Sequence, residues 1–310
     1  MNDHSHIACA ECNYNLMGID LAGLCPECGT KIINNCFRCD YDLNGLDPKE
    51  LCPECGLPIE HSIGRGAIAI ADDDYLKKLH TGVFLVQTAI IIIVAQAIFG
   101  GLFGYLAATT ATFSGLELVF DIAAQVVSLG ASLMYLVGWY KFSTPCPLQG
   151  MFYTGSKARK LVRVTVVIAF CFALLQLIAQ FSVAYAPNIQ TAFVFIYIVL
   201  IGSYLVIFVR FIAEIMYVRW MAPLLKNKRV HKRATVLLWM GPIIIGAGLV
   251  AGIMTIFAGI MTIFIGFFTG ILLLGVALAA LVALIMYWNM LDWIRKDLKS
   301  IRQSNLARVA

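Results

Sequence analysis

The chain reads as an all-α polytopic membrane protein: six transmembrane helices behind a small N-terminal module stapled by metal. Three observations predict this. First, the 310 residues are 60% hydrophobic and only 13% charged, with a mean hydropathy of +0.83, against about 45–50% and about 25% in an average soluble chain. Second, the uncharged stretches are long enough to cross a bilayer. Third, eight of the ten Cys fall in the first 55 residues, in a repeated Cys-x2-Cys pattern. An ordinary soluble domain and a disordered chain are both excluded. No apolar stretch follows Met1-Asn2-Asp3-His4, so the opening does not read as a secretory signal peptide.

The N-terminal module comes first. Cys9-x2-Cys12-x12-Cys25-x2-Cys28 is followed by Cys36-x2-Cys39-x12-Cys52-x2-Cys55, an internal repeat with a period of 27 residues. Aligning 9–32 with 36–59 gives 13 identities in 24 positions, among them Leu16/Leu43, Pro26/Pro53, Gly29/Gly56 and Ile32/Ile59. Each Cys-x2-Cys turn gathers two sulfurs, and two turns supply the four thiolates of a tetrahedral site. Zn²⁺ accepts such a set at roughly 2.3 Å. A unit of 24 residues cannot bury a useful core alone, and structural zinc offsets that with about 10–16 kcal/mol of apparent binding energy in small finger peptides. Gly29 and Gly56, each just after a second Cys, are free to take the positive φ such knuckles want. Leu16, Leu24 and Ile32, with their equivalents, are expected to cap each site.

Two Zn²⁺ in two self-contained sites is the expected loading. Disulfides are the weaker reading if this region faces a reducing compartment, and an interleaved cross-brace is disfavoured by the regular repetition and the absence of a His ligand. Iron stays open as the less favoured metal, since a shell of four cysteines also holds iron. The double Cys-x2-Cys…Cys-Pro-x-Cys-Gly pattern resembles a double zinc ribbon, built of short β-hairpins and knuckles. Its fuller form, Cys-x2-Cys-x-Tyr-x-Leu-x-Gly-Leu…Cys-Pro-Glu-Cys-Gly, is similar to the N-termini of uncharacterised bacterial multi-pass membrane proteins. The likeness covers about residues 9–59, and the membrane part resembles no family. The knuckles are also similar to rubredoxin ligand loops, although the x12 spacer is much shorter and the aromatic core is largely absent.

Charge decides what such a ribbon can meet. Residues 1–60 hold three Lys/Arg and ten Asp/Glu, a balance of −7 that eight thiolates and two Zn²⁺ would take to −11. Nucleic-acid binding needs a basic surface, so a DNA or RNA partner is not expected. A basic partner is, and one is attached: residues 81–310 sum to +12. The module is therefore expected to rest on the chain's own cytoplasmic loops or on another basic protein surface. Residues 61–80, with Gly64-Arg65-Gly66 and Asp72-Asp73-Asp74, read as a linker.

The membrane domain spans 81–290. Runs without Asp, Glu, Lys or Arg cover 79–116, 122–140, 164–209 and 234–291, which are 38, 19, 46 and 58 residues long. A crossing takes roughly 20 apolar residues. The first run therefore holds one helix and a loop, the second one helix, the third two broken at Ala186-Pro187-Asn188, and the fourth two with a turn near 259–266. The predicted spans are 83–107, 117–140, 162–185, 190–213, 236–258 and 264–288, followed by a basic tail over 291–310. With six spans, all 23 Lys and Arg fall on one side. The positive-inside rule makes that side cytoplasmic, with both termini, and points to the cell membrane.

Polar residues inside spans are candidates for function. Glu117, Asp121 and Gln125 recur at i, i+4 and i+8 on one face of helix 2, a possible intramembrane site for a proton or cation. Their more ordinary reading is interfacial. Gln87, Gln96, Gln176 and Gln180 read as interhelical hydrogen-bond donors, and Arg210 and Glu214 are spaced for an ion pair. Helices 5 and 6 carry a duplicated heptad, AGIMTIF at 251–257 and 258–264, and the small-residue pairs Gly248/Gly252 and Gly266/Gly270. Such faces suit close packing or a homo-oligomer, and Pro242 is placed to kink helix 5. All five His lie outside the spans, only one Asp lies within them, and there is no His-Glu-x-x-His, so no enzyme activity is expected. Cys146 lies in a loop beside Pro145 and Pro147, and Cys171 reads as a small apolar residue. The leading expectation is an integral membrane protein whose zinc module serves interaction or regulation. The alternatives are a small-solute or ion transporter with a regulatory ribbon, and a rubredoxin-like iron electron-transfer module on a membrane anchor.

Overall fold

A computed structural model describes residues 9, 12, 14–16, 18–19, 23–30, 32, 35–43, 45–47, 50–59, 62, 68, 71–109, 117–145, 156–185, 189–258 and 263–309. Within the helices, the side chains at 108, 117, 118, 121, 156, 180–185, 189–194, 196–197, 251–258, 263–270 and 307–309 lie outside that description. The expectations that fall there are the Glu117 and Asp121 side chains, Gln180, the duplicated heptad, Gly252, Gly266 and Gly270, Cys146, and the breaks near 186–188 and 259–262.

Among the described residues, six helices follow the module: α1 (Asp73–Thr109), α2 (Glu117–Phe142), α3 (Ser156–Tyr185), α4 (Ile189–Met221), α5 (Lys228–Ala258) and α6 (Ile263–Val309). All six are long and apolar enough to cross a membrane. Their large apolar side chains turn outward: Ile243 is 68% and Leu274 63% exposed. Only lipid makes such a surface favourable. The helices outrun the predicted spans at their charged ends. At 1.5 Å per residue, the 37 residues of α1 reach about 55 Å and the 47 of α6 about 70 Å, against a hydrocarbon core of about 30 Å. The segment read as a basic tail is thus the last turns of α6. Pro242 stands inside α5.

The chain divides into two compact units. One comprises Lys78–Thr144 and Arg159–Ala213, that is, most of α1, α2, α3 and most of α4. Here α1 and α2 meet backbone to backbone. A Cβ on Gly82 would sit 2.5 Å from the Phe142 amide nitrogen and 2.8 Å from the Gly138 oxygen, so only glycine fits. Trp139 and Phe142 are fully buried beside that contact. Two of the expected glutamine donors bridge helices: Gln96 donates to the Ala124 carbonyl, and Gln176 Nε2 donates to Ser203 Oγ at 3.0 Å. Arg163 on α3 donates to the Ser143 hydroxyl and carbonyl, both at 2.9 Å, and stacks 4.4 Å above the Tyr140 ring. Arg210 lies over the Tyr135 ring, and Gln125 is half-buried on α2.

The other unit comprises Met1–Lys77, Pro145–Ala158 and Glu214–Ala310. It holds the cysteine module, the start of α1, the end of α4, and α5 and α6 packed as a pair. Glu214 accepts a hydrogen bond from the Tyr287 hydroxyl at 3.1 Å. Arg233 on α5 stacks over Trp293 on α6, and an Arg302–Asp73 fork (Nη2–Oδ2 3.0 Å) ties α6 to the first turn of α1. The turn at 222–227 joins α4 to α5. Asn227 caps α5 by accepting the Arg229 and Val230 amides at 2.9 and 3.1 Å, and its own amide donates to Asp297.

Candidate metal centre

The two cysteine sets fold as two copies of one local design. Each turn is closed by the first Cys amide donating to a carbonyl five residues on: Cys9 to Tyr14, Cys25 to Thr30 and Cys52 to Leu57 at 2.8 Å, and Cys36 to Tyr41 at 2.7 Å. In the three knuckles where it is described, the residue after the second Cys (Gly29, Asp40, Gly56) donates back to the first Cys carbonyl, and there the backbone swings left-handed: φ is +68° at Gly29 and +69° at Gly56, as the sequence predicts. The second repeat's first knuckle reaches the same conformation with Asp40, at φ +61°. Asp and Asn visit this region more readily than other side chains, and Asn13 holds the matching place in repeat 1.

The knuckles bring the sulfurs together. Cys9 and Cys28 Sγ are 3.6 Å apart, as are Cys12 and Cys25; Cys36–Cys55 is 3.5 Å and Cys39–Cys52 3.6 Å. Within each set all four sulfurs lie within 4.8 Å of one another. A tetrahedral ion with ligands at about 2.3 Å needs sulfurs about 3.8 Å apart, so both sets fit one. The eight thiols are free, and each set is drawn from one repeat. The two sites are thus self-contained, neither cross-braced nor disulfide-bonded. Crowded thiols also resist ionising together. Thr30, through its hydroxyl and backbone amide, holds Cys28 down to about 6. Burial pushes Cys55 up to about 12, and the other three sulfurs of its set add to the rise. A bound cation removes that conflict.

The hydrophobic support differs from the expected caps. Leu16, Ile32, Leu43 and Ile59 are buried with Cys9, Cys25, Cys36 and Cys52 in one continuous cluster shared by both repeats. Leu24 and Leu51 are 62% and 59% exposed. Leu51 pairs with Pro58 in an isolated β-bridge, and alternation along an extended segment turns such a residue away when its Cys neighbour faces the metal.

The second repeat sits on the α4–α5 hairpin. Phe37, between the ligands Cys36 and Cys39, is 7% exposed and meets the His231 ring edge to face at 5.9 Å. Its amide donates to the Ser62 hydroxyl at 3.0 Å. Asp40 pairs with Lys228, which holds its carboxyl below the usual range. Lys226, in the turn, is near enough to Cys36 to feel its charge; burial pushes the ammonium down to about 7, with the Cys36 thiolate pulling the other way. Arg38, Leu57 and Pro58 face α4 and α5 across a cavity. At the α4–α5 turn the second repeat thus makes one ion pair and one aromatic contact. These contact residues were not singled out by motif. The signal for them lay in the repeat itself: Phe37, Arg38, Asp40, Leu57 and Pro58 all stand where the repeats differ, opposite Ala10, Glu11, Asn13, Thr30 and Lys31.

Of the other predicted positions, Glu117 and Asp121 fall on the first turns of α2 with their side chains outside the described residues, so no geometry unites them with Gln125. Comparison with protein-family models, curated proteins and solved structures gives no match to this chain.

Proposed function

We propose that the protein is a multi-pass membrane protein whose two cysteine sites are structural Zn²⁺ sites, and whose module works by interaction: repeat 2 anchors it to the membrane helices and repeat 1 presents a second, differently surfaced knuckle to a partner. The observation that carries this is the partition of the repeats. The residues that hold metal and core are shared, and among the described residues those that touch the helices are peculiar to repeat 2. Charge supports a cytoplasmic setting, with the acidic module on the side that collects all 23 Lys and Arg. The metal's contribution is to fix each knuckle's backbone; Phe37 and Asp40 then make the contact, and no bond is made or broken. Four thiolates around a divalent cation leave a net −2, with Lys226 set against it at the docked site.

The test uses the full-length protein. Metal analysis is expected to give two zinc ions per chain and a colourless sample; a red protein with iron would replace the metal assignment. Chelation is expected to expose the cysteine module to protease and to release the α4–α5 turn from protection in hydrogen exchange. A metal-free protein with unchanged cleavage and exchange would overturn the anchoring role.

A further inference from the structure

Two cations face each other where the module meets the helices. A cavity of about 300 Å³ is lined by Arg38 of the module and by Arg219, Trp220 and His231 of the α4–α5 hairpin, among apolar side chains that include Met216 and Leu238. Among the described residues, no carboxylate is in the lining. Arg38 is one of only three Lys/Arg among residues 1–60, and it stands where repeat 1 has Glu11. An acidic module docking on a basic surface would favour a carboxylate here. Instead, Arg38 and Arg219 act electrostatically on each other, and both act on His231. Like charges brought together across an interface cost free energy unless something bridges them.

Three details suit an anion. The Arg38 guanidinium is oriented by donating to the Cys55 carbonyl at 3.2 Å, which leaves most of its five donors for another acceptor. Trp220 Nε1 is buried with no hydrogen-bond partner, and a buried donor of that kind is normally satisfied; the His231 ring is already engaged by the Arg219 backbone. The rest of the lining is apolar, and one of its residues, Met216, is 43% exposed on a helix that reads as spanning the membrane. Arginine pairs, with a tryptophan at the membrane surface, are suited to phosphate oxygens held by two forks.

We propose that this cavity is a phosphate-binding site, closed on one side by the metal-held second knuckle, which takes either the headgroup of an anionic phospholipid or a soluble phosphate ester. Basic pockets between helices at the cytoplasmic face are where lipid headgroups bind. The inference needs the docked module and is independent of which metal holds it.

The test is native mass spectrometry of the full-length protein in detergent, titrated with phosphatidylglycerol or phosphatidylcholine, beside calorimetry with inorganic phosphate. Retention of phosphatidylglycerol over phosphatidylcholine, falling about tenfold in both Arg219→Gln and Arg38→Glu, supports the lipid source. Inorganic phosphate bound by the parent and lost in both variants supports the soluble source. Arg38→Glu is expected to keep both metal ions, because repeat 1 carries Glu at that place. Lys296→Gln, outside the cavity, should change nothing. Hydrogen exchange over residues 222–231 separates loss of the site from loss of docking. Phosphatidylglycerol and phosphate binding equal in the parent and both cavity variants, or lost equally in Lys296→Gln, would overturn the proposal.

Discussion

Repeat 1 and repeat 2 of the module share their metal ligands and much of their core, yet among the described residues the side chains that grip the helices belong to repeat 2. Both have the buried leucine (Leu16, Leu43), the buried isoleucine (Ile32, Ile59) and sulfurs at 3.5–3.6 Å. Among the 11 of 24 positions where they differ are the two between the first pair of Cys, the residue after that pair, and the two just after the last Gly. A metal site fixes the knuckle backbone whatever those side chains are, so they are free to specify a partner. Phe37 and Asp40 use that freedom against His231 and Lys228. Ala10 and Asn13 leave repeat 1 without an aromatic anchor or a charge at the same places.

The largest effect should come from the metal itself. Cys36→Ser with Cys39→Ser removes the second site and with it a share of the about 10–16 kcal/mol that such metals give small fingers. It should leave one metal ion per chain and free the α4–α5 turn in hydrogen exchange. Cys9→Ser with Cys12→Ser should also leave one ion, but with the turn still protected. Equal loss of protection in the two pairs would break the distinction between repeats.

A smaller and more symmetric effect is expected in the shared core. Leu16→Ala and Leu43→Ala should each cost about 2–5 kcal/mol, and both should weaken metal retention against a chelator, since one cluster supports both sites. A change confined to the mutated repeat would show that the cores are separate.

The contact residues should give the smallest effects on metal and the most selective on docking. Phe37→Ala, which installs the repeat 1 residue, is expected to cost about 2–4 kcal/mol of docking through lost burial with both ions retained. Asp40→Asn should weaken docking slightly, and only at low salt, because exposed ion pairs contribute little and are screened. An Asp40→Asn effect larger than that of Phe37→Ala would mean that charge, rather than the aromatic anchor, holds the module.

Much of this was legible in the sequence because its signals are local. Cys spacing encodes the ligand sets, and uncharged runs encode the spans. What escaped reading depends on distant partners or on local geometry that composition does not express. The ends of α1 and α6 carry charge, so hydropathy stops at the bilayer while the helices continue. The positive φ at Asp40 was hidden by the absence of glycine there. Leu24 and Leu51 look like caps because they precede a ligand, but an extended segment alternates its faces. The Gly82–Gly138 contact joins two helices with no motif linking them, whereas the spacing singled out Gly248, where the structure shows no approach that requires glycine. There, a Cβ on Gly248 would rest 3.6 Å from Val276, an ordinary contact. Docking required comparing the two repeats at the positions where they disagree.

The central claim is that metal fixes the knuckle while the divergent residues choose its partner. It is tested most directly by giving repeat 2 the surface of repeat 1, with Phe37→Ala, Arg38→Glu, Asp40→Asn, Leu57→Thr and Pro58→Lys combined, and measuring metal content and hydrogen exchange on the same full-length sample. Two metal ions per chain are expected, with protection lost over residues 222–231. Protection retained at full metal content, or metal lost along with it, would contradict the claim.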